Sequence, residues 1–160
     1  MFHRGIVALA LAVMTCFLVL SHIDSQFLLV HFYESVIYIA IVLMLLFFED
    51  RWAYMFGMVA PAGWLLLTFV TSAFGEPMRQ MSRILHAEEP NYTPFALGVV
   101  VSILSVAMIA VCAYRWKREF AGLGKGSSTF LVSLGIVAAY YGVMAVWFWR
   151  SIAVGAPLPG

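Results

Sequence analysis

The stretch HFYESVIY, residues 31–38, places the carboxylate of Glu34 inside a run that is otherwise mostly leucine, isoleucine, valine and phenylalanine. A helix rises about 1.5 Å per residue, so the apolar run over residues 26–48 is long enough to cross about 30 Å of hydrocarbon. An acidic residue in such a segment is costly and indicates a site by default. The stretch therefore predicts a membrane-spanning helix with a candidate site on it.

The composition of the whole chain agrees with a membrane protein. Of its 160 residues, 64% are hydrophobic and 11% are charged, and the mean hydropathy is +0.97. Soluble domains are roughly half apolar and a quarter charged. A net charge of +1 argues against nucleic-acid binding, which needs a basic face that neutralises several phosphates. Two cysteines, Cys16 and Cys112, exclude a disulfide scaffold and show no paired metal-ligand spacing.

Apolar segments of about twenty residues recur along the chain and predict an all-α integral membrane protein, a five-transmembrane-helix bundle. A single transmembrane domain is expected over residues 1–150, followed by a flexible tail over residues 151–160. The first segment also resembles the start of a signal peptide, but no cleavage site follows it, so we predict a retained helix. Helices one to five are expected at about residues 5–21, 26–48, 52–74, 95–114 and 129–149.

The distribution of Lys and Arg predicts the orientation, because these residues favour the cytoplasmic side. With the N-terminus in the cytoplasm and the C-terminus outside, the positive residues divide six to three in favour of the inside. The expected location is a plasma membrane such as the bacterial inner membrane. The inside group is Arg4, Arg51, Arg115, Lys117, Arg118 and Lys125, and the outside group is Arg79, Arg83 and Arg150.

The outer loop between helices three and four carries an amphipathic pattern. Its apolar side consists of Met78, Met81, Ile84 and Leu85. A short helix of this kind lies along the membrane interface. The alternative is a lid over a pocket that faces outwards.

The inner loop after helix four clusters cations beside an aromatic residue. Each Lys or Arg near an anionic leaflet contributes about 1 kcal/mol of attraction. The cluster therefore predicts an anchor to the bilayer through anionic headgroups, with a docking site for a partner as the alternative. Its members are Arg115, Trp116, Lys117, Arg118 and Lys125.

The candidate site is a polar stripe on helix two. His31, Glu34, Ser35 and Tyr38 follow the i, i+3, i+4, i+7 spacing that places residues on one helix face. Further along this face the residues become apolar, so we expect an outward-facing patch that ends within the membrane. Residues on other helices that lie at a matching depth are His22, Thr68 and Tyr140.

Three kinds of role are open to Glu34. Desolvation favours its neutral form, whereas nearby cations or hydrogen-bond donors favour the carboxylate. It could fasten helix two to its neighbours, or it could exchange protons with His31 and bind a cationic or quinone-like ligand. The third role is ligation of haem or metal with His22 and His31. That ligand set is thin, because helices three to five supply no His, Asp or Glu within the membrane, so no cofactor is predicted and haem or metal stays open.

Helix five carries a row of small residues, and such rows let helices approach closely. We therefore predict this row as the packing face of the helix. Tyr140 borders the row and Tyr141 lies off it, so Tyr140 is the one expected to point inwards. The row is Gly135, Ala138, Ala139, Gly142 and Ala145.

No catalytic motif accompanies these features, since neither G-x-S-x-G nor H-E-x-x-H occurs. The leading hypothesis is a small non-enzymatic accessory or assembly subunit that packs against other membrane proteins or self-associates. The alternatives are a transporter-like or ligand-binding protein that uses a His31/Glu34 pocket, and a haem or metal redox subunit.

Overall fold

The computed structural model describes residues 3–23, 28–47, 50–70, 92–120 and 126–147, and every one of them is helical. They form five helices, and all five are long and apolar enough to cross a membrane. This confirms the predicted helical architecture. The predicted interfacial helix, the tail and Lys125 lie outside the described residues. The helices are α1 (His3–Ile23), α2 (Leu28–Phe47), α3 (Asp50–Val70), α4 (Tyr92–Phe120) and α5 (Gly126–Trp147).

Helix α4 extends beyond its predicted end at residue 114 and continues to Phe120. Lys and Arg are good helix formers, and Arg115 forms a salt bridge with Glu119 one turn later at 2.7 Å. Both effects favour continuation of the helix beyond residue 114. The prediction that the loop begins after residue 114 is therefore wrong. Arg115, Trp116, Lys117 and Arg118 form the last turns of a helix.

The core lies between α1, α2, α3 and α4. Helix α1 packs along α2 and against α4, whereas α3 packs against α2, α4 and α5. Helix α1 buries a residue at every third or fourth position although nearly all its residues are apolar, so packing rather than polarity selects the face. These residues are Ile6, Ala10, Val13, Phe17 and Leu20. Helix α5 joins this group mainly through its contact with α3.

Gly57 sets the approach of α4 to α3. A β-carbon at this position would lie 2.6 Å from Cys112 Sγ and 3.4 Å from Met108 Cε. Cys112 is fully buried, so its sulfur has little room to move. Pro61, also buried, lies four residues later and removes the amide that would bond the Gly57 carbonyl.

Hydrogen bonds near each end of α5 join it to α3 and α2. Near its start, the Arg51 guanidinium on α3 donates to the Thr129 hydroxyl. Near its other end, Tyr33 on α2 and Tyr140 each donate to the other's backbone carbonyl, and their rings stack with centroids 4.4 Å apart. Tyr141 donates to the Ala60 carbonyl on α3 at 3.2 Å.

The predicted packing face of α5 is wrong. The row of small residues is largely exposed, and the side of α5 that is buried consists of Thr129, Ser133, Val137, Tyr141 and Met144. The reason lies on α3, where Gly63 supplies the space: a β-carbon there would lie 3.1 Å from the Tyr141 ring. Tyr141 is consequently buried and Tyr140 half-buried, which reverses the order expected for them, although Tyr140 does reach α2.

The close contact at Gly57 makes a prediction for stability. Gly57→Ala should lower the free energy of unfolding by about 1–3 kcal/mol, because the added methyl group overpacks the Cys112 contact. The measurement is thermal or denaturant unfolding in detergent micelles.

The matched control is Gly98→Ala on α4, where a β-carbon meets nothing within 4 Å. This change should be neutral or stabilising, because alanine is the better helix former by about 1 kcal/mol. Equal stabilities of the two variants would contradict the packing argument.

Candidate functional site around Glu34

Glu34 is buried, with 7% of its surface exposed. It lies in the half of the bundle that the sequence predicts to face the outside. Its Oε1 accepts a hydrogen bond from Trp64 Nε1 of α3 at 3.0 Å. Its Oε2 lies 2.9 Å from His31 Nδ1, one turn earlier on α2, in a hydrogen bond that either group can donate. Both carboxyl oxygens thus have partners, as a polar group buried in an apolar region requires.

An aromatic side chain from α1 covers this pair of hydrogen bonds. Phe17 is fully buried, and its ring centroid lies 5.4 Å from that of Trp64, in edge-on geometry, and 6.5 Å from that of His31. It also lies 5.8 Å from the ring of Tyr38. Hydrogen bonds enclosed by such apolar groups are stronger than the same bonds in water.

Ser35 and Tyr38, the other residues of the predicted stripe, are also buried, but they do not join the Glu34 hydrogen bonds. The Ser35 hydroxyl donates to the Phe32 carbonyl of its own helix at 2.6 Å. Tyr38 is fully buried, and its hydroxyl lies beside Ser105 of α4. Within the described part of the chain, the hydroxyl oxygens of Tyr38 and Ser105 have no hydrogen-bond partner of good geometry.

The hydrogen bonds of Glu34 go to His31 and Trp64 rather than to the three residues predicted as its neighbours. His22 is exposed in the last turn of α1. Thr68 is half-buried, one turn beyond Trp64 on α3. The Tyr140 hydroxyl is engaged with the Tyr33 carbonyl. The structure thus brings together His31 and Glu34, and the hydrogen-bond donor from α3 is Trp64.

Trp64 was missed by the sequence reasoning, although a signal for it exists. Glu34 lies 13 residues before the end of α2, and Trp64 lies 14 residues after the start of α3. In two antiparallel helices joined by a tight turn, residues at equal distance from the turn lie at equal depth. A buried indole N–H also requires an acceptor, so Trp64 was the natural donor.

The donors around Glu34 suit hydrogen bonding better than coordination. In the described ranges, no three His, Cys, Asp or Glu residues lie close enough together to hold a metal ion. His31 and Glu34 come from one helix, and the third group is an indole N–H, which is a donor only. Among the described residues, His22, His31 and Glu34 therefore do not form a metal-binding group.

A second feature lies on another side of α3. A groove of about 600 Å³ runs between α3 and α5, and Ile109 of α4 also lines it. Its lining is almost wholly apolar, and small residues line both walls. These are Ala62 and Gly63 on α3 and Ala138, Gly142 and Ala145 on α5.

Comparisons of this chain with protein-family models, with curated proteins and with solved structures found no match.

The Trp64 hydrogen bond predicts a loss of stability when the donor is removed. Trp64→Phe should lower the free energy of unfolding by about 1–3 kcal/mol, since it leaves Oε1 of Glu34 buried without its partner. Denaturant unfolding in micelles measures this change.

A double-mutant cycle separates the hydrogen bond from lost packing, and a second variant gives a reference for the loss of a buried polar atom. Tyr38→Phe removes only a hydroxyl without a partner of good geometry, so it should cost less than Trp64→Phe, which loses both the hydrogen bond and part of the indole ring. A double-mutant cycle of Trp64→Phe with Glu34→Leu should show non-additive losses. Strictly additive losses would mean that the two side chains are not coupled.

Proposed function

We propose that this protein is a multi-pass protein of a plasma membrane, with its N-terminus in the cytoplasm, that acts as an accessory or assembly subunit. In this proposal it packs against another membrane protein through the exposed small-residue face of α5. The observation that carries the proposal is the direction in which that face points. The face consists of Gly135, Ala138, Ala139 and Gly142.

Glycine in the middle of an exposed helix costs about 1 kcal/mol relative to alanine. A β-carbon at Gly135 or Gly142 would meet nothing within 4 Å, so neither glycine serves packing among the residues that the structure describes. In a bilayer, small residues permit close backbone contact between helices, which is the main source of helix association there. A helix from another protein lying along α5 would offset the cost of these glycines.

The groove beside α5 extends the same surface. Ala138 and Gly142 belong both to the small-residue face and to the groove wall, and Leu66 of α3 lines the opposite wall. A partner helix on α5 would therefore also find a concave apolar surface to fill. This combination supports packing against a membrane protein rather than contact with lipid alone.

The Glu34 site supports a structural role within the subunit. Both of its carboxyl oxygens are hydrogen-bonded within the chain, and Phe17 covers the pair. A pocket for a cationic or quinone-like ligand needs polar groups that the ligand can reach. The transporter-like hypothesis is accordingly the less supported alternative.

The exposed face of α5 predicts the effect of a bulky substitution. Gly142→Leu should abolish co-purification of a stoichiometric membrane protein from native membranes in mild detergent, because the side chain blocks close helix contact. Its thermal stability should equal or exceed that of the unmodified protein, since the added side chain starts in open space and leucine is the better helix former. Affinity purification followed by quantitative mass spectrometry measures the retained partner.

Gly98→Leu on α4 is the matched control, because a β-carbon there also meets nothing within 4 Å. It should retain the partner at the level of the unmodified protein. Isolation of the unmodified protein as a lone monomer, or retention of the partner by Gly142→Leu, would contradict the proposal.

The proposed orientation has its own test. A reporter fused after Gly160 should be active if it requires the outside compartment and silent if it requires the cytoplasm. The opposite pattern would reverse the orientation but leave the proposed α5 surface unaffected.

A further inference from the structure

Positive charge collects at one end of the bundle. Consecutive helices alternate in direction, so the starts of α1, α3 and α5 and the end of α4 lie together. Contacts between Arg51 and Thr129 and between Tyr54 and Phe120 agree with this arrangement. All Lys and Arg residues in the described part of the chain lie at this end, namely Arg4, Arg51, Arg115, Lys117 and Arg118.

The last turns of α4 present two of these cations to the surroundings. Arg115 is engaged with Glu119 at 2.7 Å. The Trp116 ring packs on Phe120, with centroids 5.3 Å apart, and it lies against Gly126 of α5. Lys117 and Arg118 are exposed. We name Lys117 and Arg118, together with the supporting rings of Trp116 and Phe120, the α4 basic turn.

We propose that the α4 basic turn binds the phosphate of an anionic phospholipid in the leaflet that it faces. The inference rests on the membrane insertion that is part of the proposed function, but not on the proposed partner protein. Tryptophan is enriched at the level of the headgroups, where its ring sets the depth of a helix in the bilayer. Fixed at that depth, the two exposed cations meet lipid phosphates, and Arg pairs with phosphate in bidentate geometry.

A different role for the same cations has to be separated from this one. Lys and Arg in the last turn of a helix also interact favourably with the helix dipole and the terminal carbonyls. That effect stabilises the helix in any lipid. Binding of a lipid phosphate instead requires an anionic lipid, so the lipid dependence distinguishes the two roles.

The test measures binding of phosphatidylglycerol and of phosphatidylcholine to the purified full-length protein by native mass spectrometry. The unmodified protein should prefer phosphatidylglycerol. Lys117→Gln combined with Arg118→Gln should weaken that preference about 30-fold. The charge-conserving combination of Lys117→Arg with Arg118→Lys should keep most of the preference. Raising the salt concentration should reduce it.

Thermal unfolding in nanodiscs provides the second measurement. The double glutamine variant should lose stability relative to the unmodified protein in nanodiscs that contain phosphatidylglycerol, and lose less in phosphatidylcholine alone. Equal losses in both lipids, or an unchanged preference for phosphatidylglycerol, would overturn the inference in favour of the helix-dipole role. Because the purified protein is used alone, failure of the proposed partner interaction would not affect the result.

Discussion

The pairing of Glu34 with Trp64 and His31 is the constraint on which the arrangement of the first three helices depends. A carboxyl group in an apolar region carries a large penalty unless its oxygens are hydrogen-bonded. The indole N–H of Trp64 lies at only one height on α3, so it satisfies Oε1 in only one alignment of α2 against α3. Phe17 then packs over the pair and extends the same alignment to α1. A small shift between apolar side chains costs little, whereas a shift of α2 along α3 would break the hydrogen bond between Trp64 and Glu34.

Helix α5 obtains its orientation from a different set of contacts. The bond between Arg51 and Thr129 near one end and the paired bonds between Tyr33 and Tyr140 near the other prevent rotation of α5 about its axis. Gly63 makes room for the Tyr141 ring, next to the Tyr140 contact. The side of α5 that carries Val137 and Tyr141 is therefore buried, and its row of small residues is largely exposed. The exposure of the surface that we propose for a partner is a consequence of these internal contacts.

Much of the fold could be predicted from the sequence, because hydrophobicity alone sets the length and number of the apolar helices. The helical spacing of Glu34, Ser35 and Tyr38 also placed them on one face of α2, and the structure buries all three. The partner of Glu34 did not follow. Thr68 and Tyr140 are polar and lie at a suitable depth, but depth restricts the position of a residue only along the helix axis. Rotation of each helix decides which residue at that depth makes the contact, and Trp64 was overlooked.

The face of α5 that packs shows the same limit more sharply. Small residues indicate a place where another helix can approach closely. The row from Gly135 to Gly142 does not indicate whether that helix belongs to the same chain. The small residue that α5 uses is Gly63, on the other helix. The sequence by itself determined the five apolar helices, their polar stripe and the cation-rich segments, because these depend on composition and period. Only the tertiary structure decided that Trp64 pairs with Glu34 and that the small residues of α5 face outwards, because both depend on how neighbouring helices are rotated against one another.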